Sequence, residues 1–78
     1  MQYKLQSVMF SRHNNSIDDA MQWLNLYGHQ PIKIDITKNF IRTRLLEPKE
    51  IEKEGYKFYV NKLIDKKRDI LLVLAYKY

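Results

Sequence analysis

The sequence predicts an α+β fold: a single antiparallel-rich sheet of about five strands in the order β-α-β-β-β-β, with one helix packed on one face. Three observations carry this expectation. Residues 32–46 alternate with period two on both sides of Lys38-Asn39, which reads as a β-hairpin. Residues 17–27 carry apolar side chains at helical spacing between a capping serine and a glycine. Residues 56–63 and 70–76 are aromatic and aliphatic runs separated by a charged turn, as two further strands require.

Taken in chain order, residues 2–10 form a first strand. Tyr3, Leu5, Ser7 and Met9 fall on one side, and Lys4, Gln6, Val8 and Phe10 on the other. Neither side is cleanly apolar, which suits a strand with neighbours on both edges. Residues 11–15 are a polar loop. Ser16 is then a helix N-cap, with Asp18 and Asp19 in the first turn, where the helix dipole favours anions. Ile17, Ala20, Met21, Leu24 and Tyr27 make the apolar stripe, with Trp23 at its border. Gly28 ends the helix and Pro31 prevents its continuation.

The hairpin follows. Folding it at Lys38-Asn39 opposes Ile36 to Ile41, Ile34 to Thr43 and Ile32 to Leu45, so one face is almost wholly apolar and turns beneath the helix. The other face carries Lys33 opposite Arg44, Asp35 opposite Arg42, and Thr37 opposite Phe40. A slip of one residue would put charges into the core, so the register is strongly specified. Pro48 to Glu54 reads either as a short helical turn closed by Gly55 or as an irregular loop. The last strand, 70–76, is apolar on both faces and belongs in the interior of the sheet.

Seventy-eight residues make one domain, 1–78, with no linker and no internal repeat. Its 45% hydrophobic content marks a globular chain, and its six tyrosines and three phenylalanines supply much of the core area that so short a chain needs. The absence of cysteine excludes a disulfide framework, Cys-ligated zinc and a thiol nucleophile. The first ten residues lack an apolar signal-peptide core, and the run from Ile70 to Tyr76 is too short to span a bilayer, so no membrane partner is expected.

Catalytic chemistry finds no support. The chain has only Gly28 and Gly55 and no phosphate-binding glycine loop. His13 and His29 read as solvated loop histidines, and Asp18-Asp19 as capping residues. No catalytic residue, metal ligand or cofactor is expected. Ser11, His13 and Asp18 are near in sequence only, which is not a triad.

Fourteen basic against nine acidic residues give a net charge of +5. Residues 47–54 hold four Glu and two Lys, so the excess elsewhere is larger still. Such a surplus points to an anionic partner, nucleic acid (DNA or RNA) first. The expected nucleic-acid-binding residues are Lys33, Arg42 and Arg44 on the open hairpin face, Phe40 beside them as a base-stacking platform, and Lys66, Lys67 and Arg68 at the last turn. Arg42 and Arg44 are expected to point to water together. The competing expectation is a protein-interaction or virion-assembly module, a homodimer through a sheet edge, with no nucleic-acid binding.

The helix with Ala20, Trp23-Leu24 and Gly28, followed by Lys33, Thr37, Asn39-Phe40, Arg42, Arg44 and Pro48, resembles a short α+β domain of tailed-phage and large DNA virus proteins. In that domain a helix bearing A-x-x-W-L precedes an R-x-R strand and a proline. The resemblance covers residues 9–48. Where that domain often has a Gly-Lys-Gly-like turn before its last strand, this chain has Lys66-Lys67-Arg68. The resemblance implies a viral or mobile-element origin, hence a small accessory protein of the host cytoplasm or the virion. It implies no particular biochemical activity.

Overall fold

A computed structural model covers residues 1–78. It contains β1 (Gln2–Ser11), α1 (Ile17–Leu26), β2 (Lys33–Ile36), β3 (Phe40–Arg44), α2 (Pro48–Lys53), β4 (Phe58–Asp65) and β5 (Ile70–Lys77). The strands form one sheet in the order β2-β3-β1-β5-β4, with every neighbouring pair antiparallel. The fold is α+β, as expected, and of the two readings of Pro48 to Glu54 the helical one holds: a second, shorter helix lies on the other face.

β1 is the central strand, and a bulge settles its faces. Strict alternation would set Leu5 on the side opposite Val8 and Phe10. Instead the β1–β5 register shifts between Leu5 and Ser7, so Leu5 pairs with Leu74 while Val8 pairs with Leu72. Leu72 and Leu74 are two residues apart and share a face. The extra residue therefore brings Leu5 round to join Val8 and Phe10 under α1. Gln6, at the bulge, is fully buried.

The β2–β3 hairpin has the expected register: Lys33 opposite Arg44, Ile34 opposite Thr43, Asp35 opposite Arg42, and Ile36 opposite Ile41. Thr37 closes it, its Oγ1 donating to the Phe40 carbonyl and accepting from the Phe40 N–H. Thr43 and Ile41 are buried, but Ile41 is the only isoleucine of the hairpin that is. Ile34 is 39% and Ile36 52% exposed, so the expectation that both turn inward beneath the helix is corrected. Geometry gives the reason. A helix about 10 Å across covers two or three strands, whereas five strands span about 19 Å. α1 sits over the middle of the sheet, where Val8, Phe10, Ile41 and Ile70 pack with Ala20 and Leu24. The flanking strands β2 and β4 lie beyond its reach.

The same geometry shifts the buried stripe of α1. Ala20 and Leu24 are buried, and Trp23 is half-buried with its ring edge-on to Phe10 at 5.6 Å. Ile17, Met21 and Tyr27, expected in the stripe, are exposed. Trp23 belongs to the packing face rather than its border. Ser16 caps the helix, accepting from the Asp19 N–H, while the Asp19 carboxylate accepts from the Ser16 N–H at 2.8 Å. Gly28 follows in the left-handed region, φ 75°, where a helix exit favours glycine.

The capping hydrogen bond from the Ser16 backbone holds the Asp19 carboxyl below the usual carboxylate range, with a smaller contribution from the Ser16 hydroxyl. The folded-state pKa is depressed, so this stabilisation is present above about pH 4 and lost as pH falls through the folded value. Asp19→Asn is expected to lower the melting midpoint at pH 7 and to flatten the acid limb of a midpoint-against-pH curve.

α2 begins at Pro48 and is followed by Gly55 at φ 97°. It is short, and it packs through Ile51, with Tyr56 behind it, on Ala75. Ala75 lies on the sheet face away from α1, so this face is covered at one end.

Candidate nucleic-acid interface

The hairpin places Lys33, Phe40, Arg42 and Arg44 on one face, away from α1, as strand alternation dictates. That face is less open than its sequence suggests. Arg42 and Arg44 are half-buried, and the Nε of each is buried without a hydrogen-bond partner. Arg44 lies between two carboxylates, 3.8 Å from Asp35 and 3.5 Å from Glu47, the residue that leads into α2. Lys33 stands 3.7 Å from Asp35. Arg42 Nη2 donates to Gln6 Oε1 at 3.3 Å. Phe40 is half-buried at the start of β3, opposite Ser11. The two arginines share a side, as expected, but they do not project freely into water together.

Gln6 is the hub of this face. Its Nε2 donates to the Leu46 carbonyl at 2.9 Å, and its Oε1 accepts from Ser7 Oγ and from Arg42. Its backbone carbonyl accepts from the N–H groups of Leu45 and Leu46. Gln6→Ala would strand a carbonyl and a guanidinium in a dry site, and is expected to cost about 1–3 kcal/mol in a urea titration.

Lys66, Lys67 and Arg68 lie in the turn joining β4 to β5, two to three strand spacings from β3, about 10–14 Å away. Lys66 and Lys67 are exposed, in a turn that Asp65 organises by accepting from the N–H groups of Lys67 and Arg68. Arg68 turns toward α1, its Nε donating to Asn15 Oδ1 at 2.9 Å. Buried Asn15 in turn donates to the carbonyls of Ser11 and Arg68, which ties the start of α1 to this turn.

The sheet topology adds two residues that the sequence did not single out. β1 ends where β3 and β5 begin, so the loop after β1, the β2–β3 turn and the β4–β5 turn meet at one end of the sheet. Direct bonds join them: the Arg12 N–H donates to the Asn39 carbonyl, Arg12 Nη1 to the Thr37 carbonyl at 2.8 Å, and the Ser11 N–H to the Asp69 carbonyl. The end of the sheet therefore carries Arg12 and Lys38 as well as Lys66, Lys67 and Arg68. None of the five cationic head groups has a carboxylate within 4 Å. Across all fourteen basic side chains only Lys4, Lys33 and Arg44 do. No local pattern could have flagged Arg12 or Lys38, because they join the group only once the strand order is known.

No helix is long and apolar enough to cross a membrane. Compared with known proteins, the chain matches no family model, no curated protein and no solved structure, so the geometry alone carries the functional reading.

Proposed function

We propose that this domain binds nucleic acid without strong sequence preference, chiefly by phosphate contact, as a small viral or phage-type accessory protein would. The observation that supports this reading is the cationic end of the sheet, where Arg12, Lys38, Lys66, Lys67 and Arg68 come together from three loops without ion-pair partners. The sheet beneath them is about 19 Å wide, enough to meet several successive phosphates. Arg42, with Phe40 beside it, is an additional contact on the adjoining face. Lys33 and Arg44 contribute less, because Asp35 and Glu47 already neutralise them. The viral setting rests on the helix and R-x-R resemblance alone.

An electrophoretic shift or fluorescence anisotropy titration across a salt series tests this. Affinity for single- and double-stranded oligonucleotides is expected to fall linearly in log–log form with salt, and to vary little with sequence. Absence of binding at low salt, or tight binding indifferent to salt, contradicts it. A second reading, a protein-interaction or virion-assembly module, is favoured by the β4 edge, whose apolar side chains are exposed along the strand.

A further inference from the structure

The two edges of the sheet are built differently. β2 is four residues long, follows Pro31 closely and carries Lys33 and Asp35, features that discourage strand addition. β4 is eight residues long, has no proline, and bears one charge between Phe58 and Ile64. Phe58, Tyr59, Val60, Leu63 and Ile64 are each 40–48% exposed. The β4–β5 register shifts between Leu63 and Asp65, so the regular part of this edge is Phe58 to Leu63, with Lys62 its one charge. A largely apolar edge of that length is a template for another strand.

We propose that the strand that pairs with β4 is β4 of a second copy, antiparallel and centred on Asn61. This names the occupant of the interaction-module reading and rests on it. The β4 sequence is self-complementary about Asn61. In that register Phe58 of one copy lies beside Ile64 of the other, Tyr59 beside Leu63, and Val60 beside Lys62, with the two Asn61 amides facing each other. The Lys62 stem can lie across the groove formed by Val60, Leu74 and Tyr3 while its ammonium stays in water. Centring on Lys62 instead would oppose the two ammonium groups directly, which is unfavourable.

The two-fold axis is normal to the sheet, so the pair makes one continuous ten-stranded sheet with both α1 helices on the same side. Its outer edges are then the two short β2 strands. The association closes at two copies and does not propagate.

Light scattering or sedimentation equilibrium over a concentration series tests this, with circular dichroism confirming that each variant is folded. Val60→Lys opposes like charges twice by symmetry and is expected to raise the dimer dissociation constant at least about tenfold. Val60→Glu faces Lys62 of the other copy and is expected to stay within about threefold of wild type. The cysteine-free chain permits a register test. Asn61→Cys should oxidise to a covalent dimer, since directly opposed Cα atoms fall within disulfide range. Val60→Cys and Lys62→Cys should cross-link to each other when mixed but not alone. Dimers that ignore the sign of the charge at residue 60 and do not cross-link through Asn61→Cys overturn the proposal and leave an interaction module using another surface. A chain that stays monomeric up to about 1 mM overturns the proposal and removes the main support for that reading as well.

Discussion

Phe10→Ala is expected to abolish cooperative folding of this domain at 37 °C. Phe10 is fully buried in the central strand, between Ile41 on β3 and Ile70 on β5, with Trp23 of α1 edge-on above it. It touches the only helix that covers this face, so the cavity left by its removal cannot be refilled without dismantling the helix–sheet packing. Phe→Ala changes in such sites cost about 3–5 kcal/mol. A chain of this length has a total stability of about 4–12 kcal/mol, and small domains sit toward the lower end. The melting midpoint should fall by at least about 12 °C, using about 4–8 °C per kcal/mol for a domain of this size. Ile34→Ala is the matched control: that side chain lies on the same sheet face but beyond the cover of α1, and its truncation should cost under about 1 kcal/mol. A Phe10→Ala protein that melts within a few degrees of wild type would mean the core lies elsewhere.

Lys66→Glu combined with Lys67→Glu is the functional counterpart. Both side chains are exposed in a turn whose shape is fixed by Asp65 through backbone N–H groups, so the fold should tolerate the reversal. The double substitution removes two cations that would neutralise phosphates and puts two repulsive charges in their place at the cationic end of the sheet. Affinity for an oligonucleotide at low salt should fall at least about tenfold. The slope of log affinity against log salt should shrink by about 0.7–0.9 for each phosphate no longer neutralised. Unchanged affinity would remove these lysines from the interface.

The parts of the fold that depend on local pattern are legible in the sequence. The hairpin register follows from alternation around Lys38-Asn39, the helix ends from Ser16 and Gly28, and the interior place of β5 from its two apolar faces. What is not legible depends on distant partners. The bulge at Gln6 leaves no mark in the sequence, because a buried glutamine reads as a polar strand residue until Leu46 and Arg42 are seen to satisfy it. The exposure of Ile34 and Ile36 depends on where α1 sits across the sheet. The fourth strand runs from Phe58 to Asp65 instead of 56–63, because Tyr56 is drawn into the packing of Ile51 and Ala75.

The candidate site divides in the same way. Strand alternation suffices to put Arg42 and Arg44 on one side. Their environment depends on Asp35 across the hairpin, on Glu47 at the start of α2 and on Gln6 from β1. Conversely, Arg12 and Lys38 are twenty-six positions apart in the chain, and only the β1–β3 pairing makes them neighbours on one surface.

The central claim is that the cations gathered at the loop end of the sheet, and not the partly neutralised hairpin face, carry most of the affinity for phosphate. One comparison tests it most directly: anisotropy titrations of the same labelled oligonucleotide, over a salt series, with the Lys66→Glu/Lys67→Glu protein and with a Lys33→Glu/Arg42→Gln protein. The turn pair is expected to lose at least about tenfold in affinity and to flatten the salt dependence, while the hairpin pair stays within about threefold of wild type. The reverse order, with the hairpin pair losing most and the turn pair binding as wild type does, would contradict it.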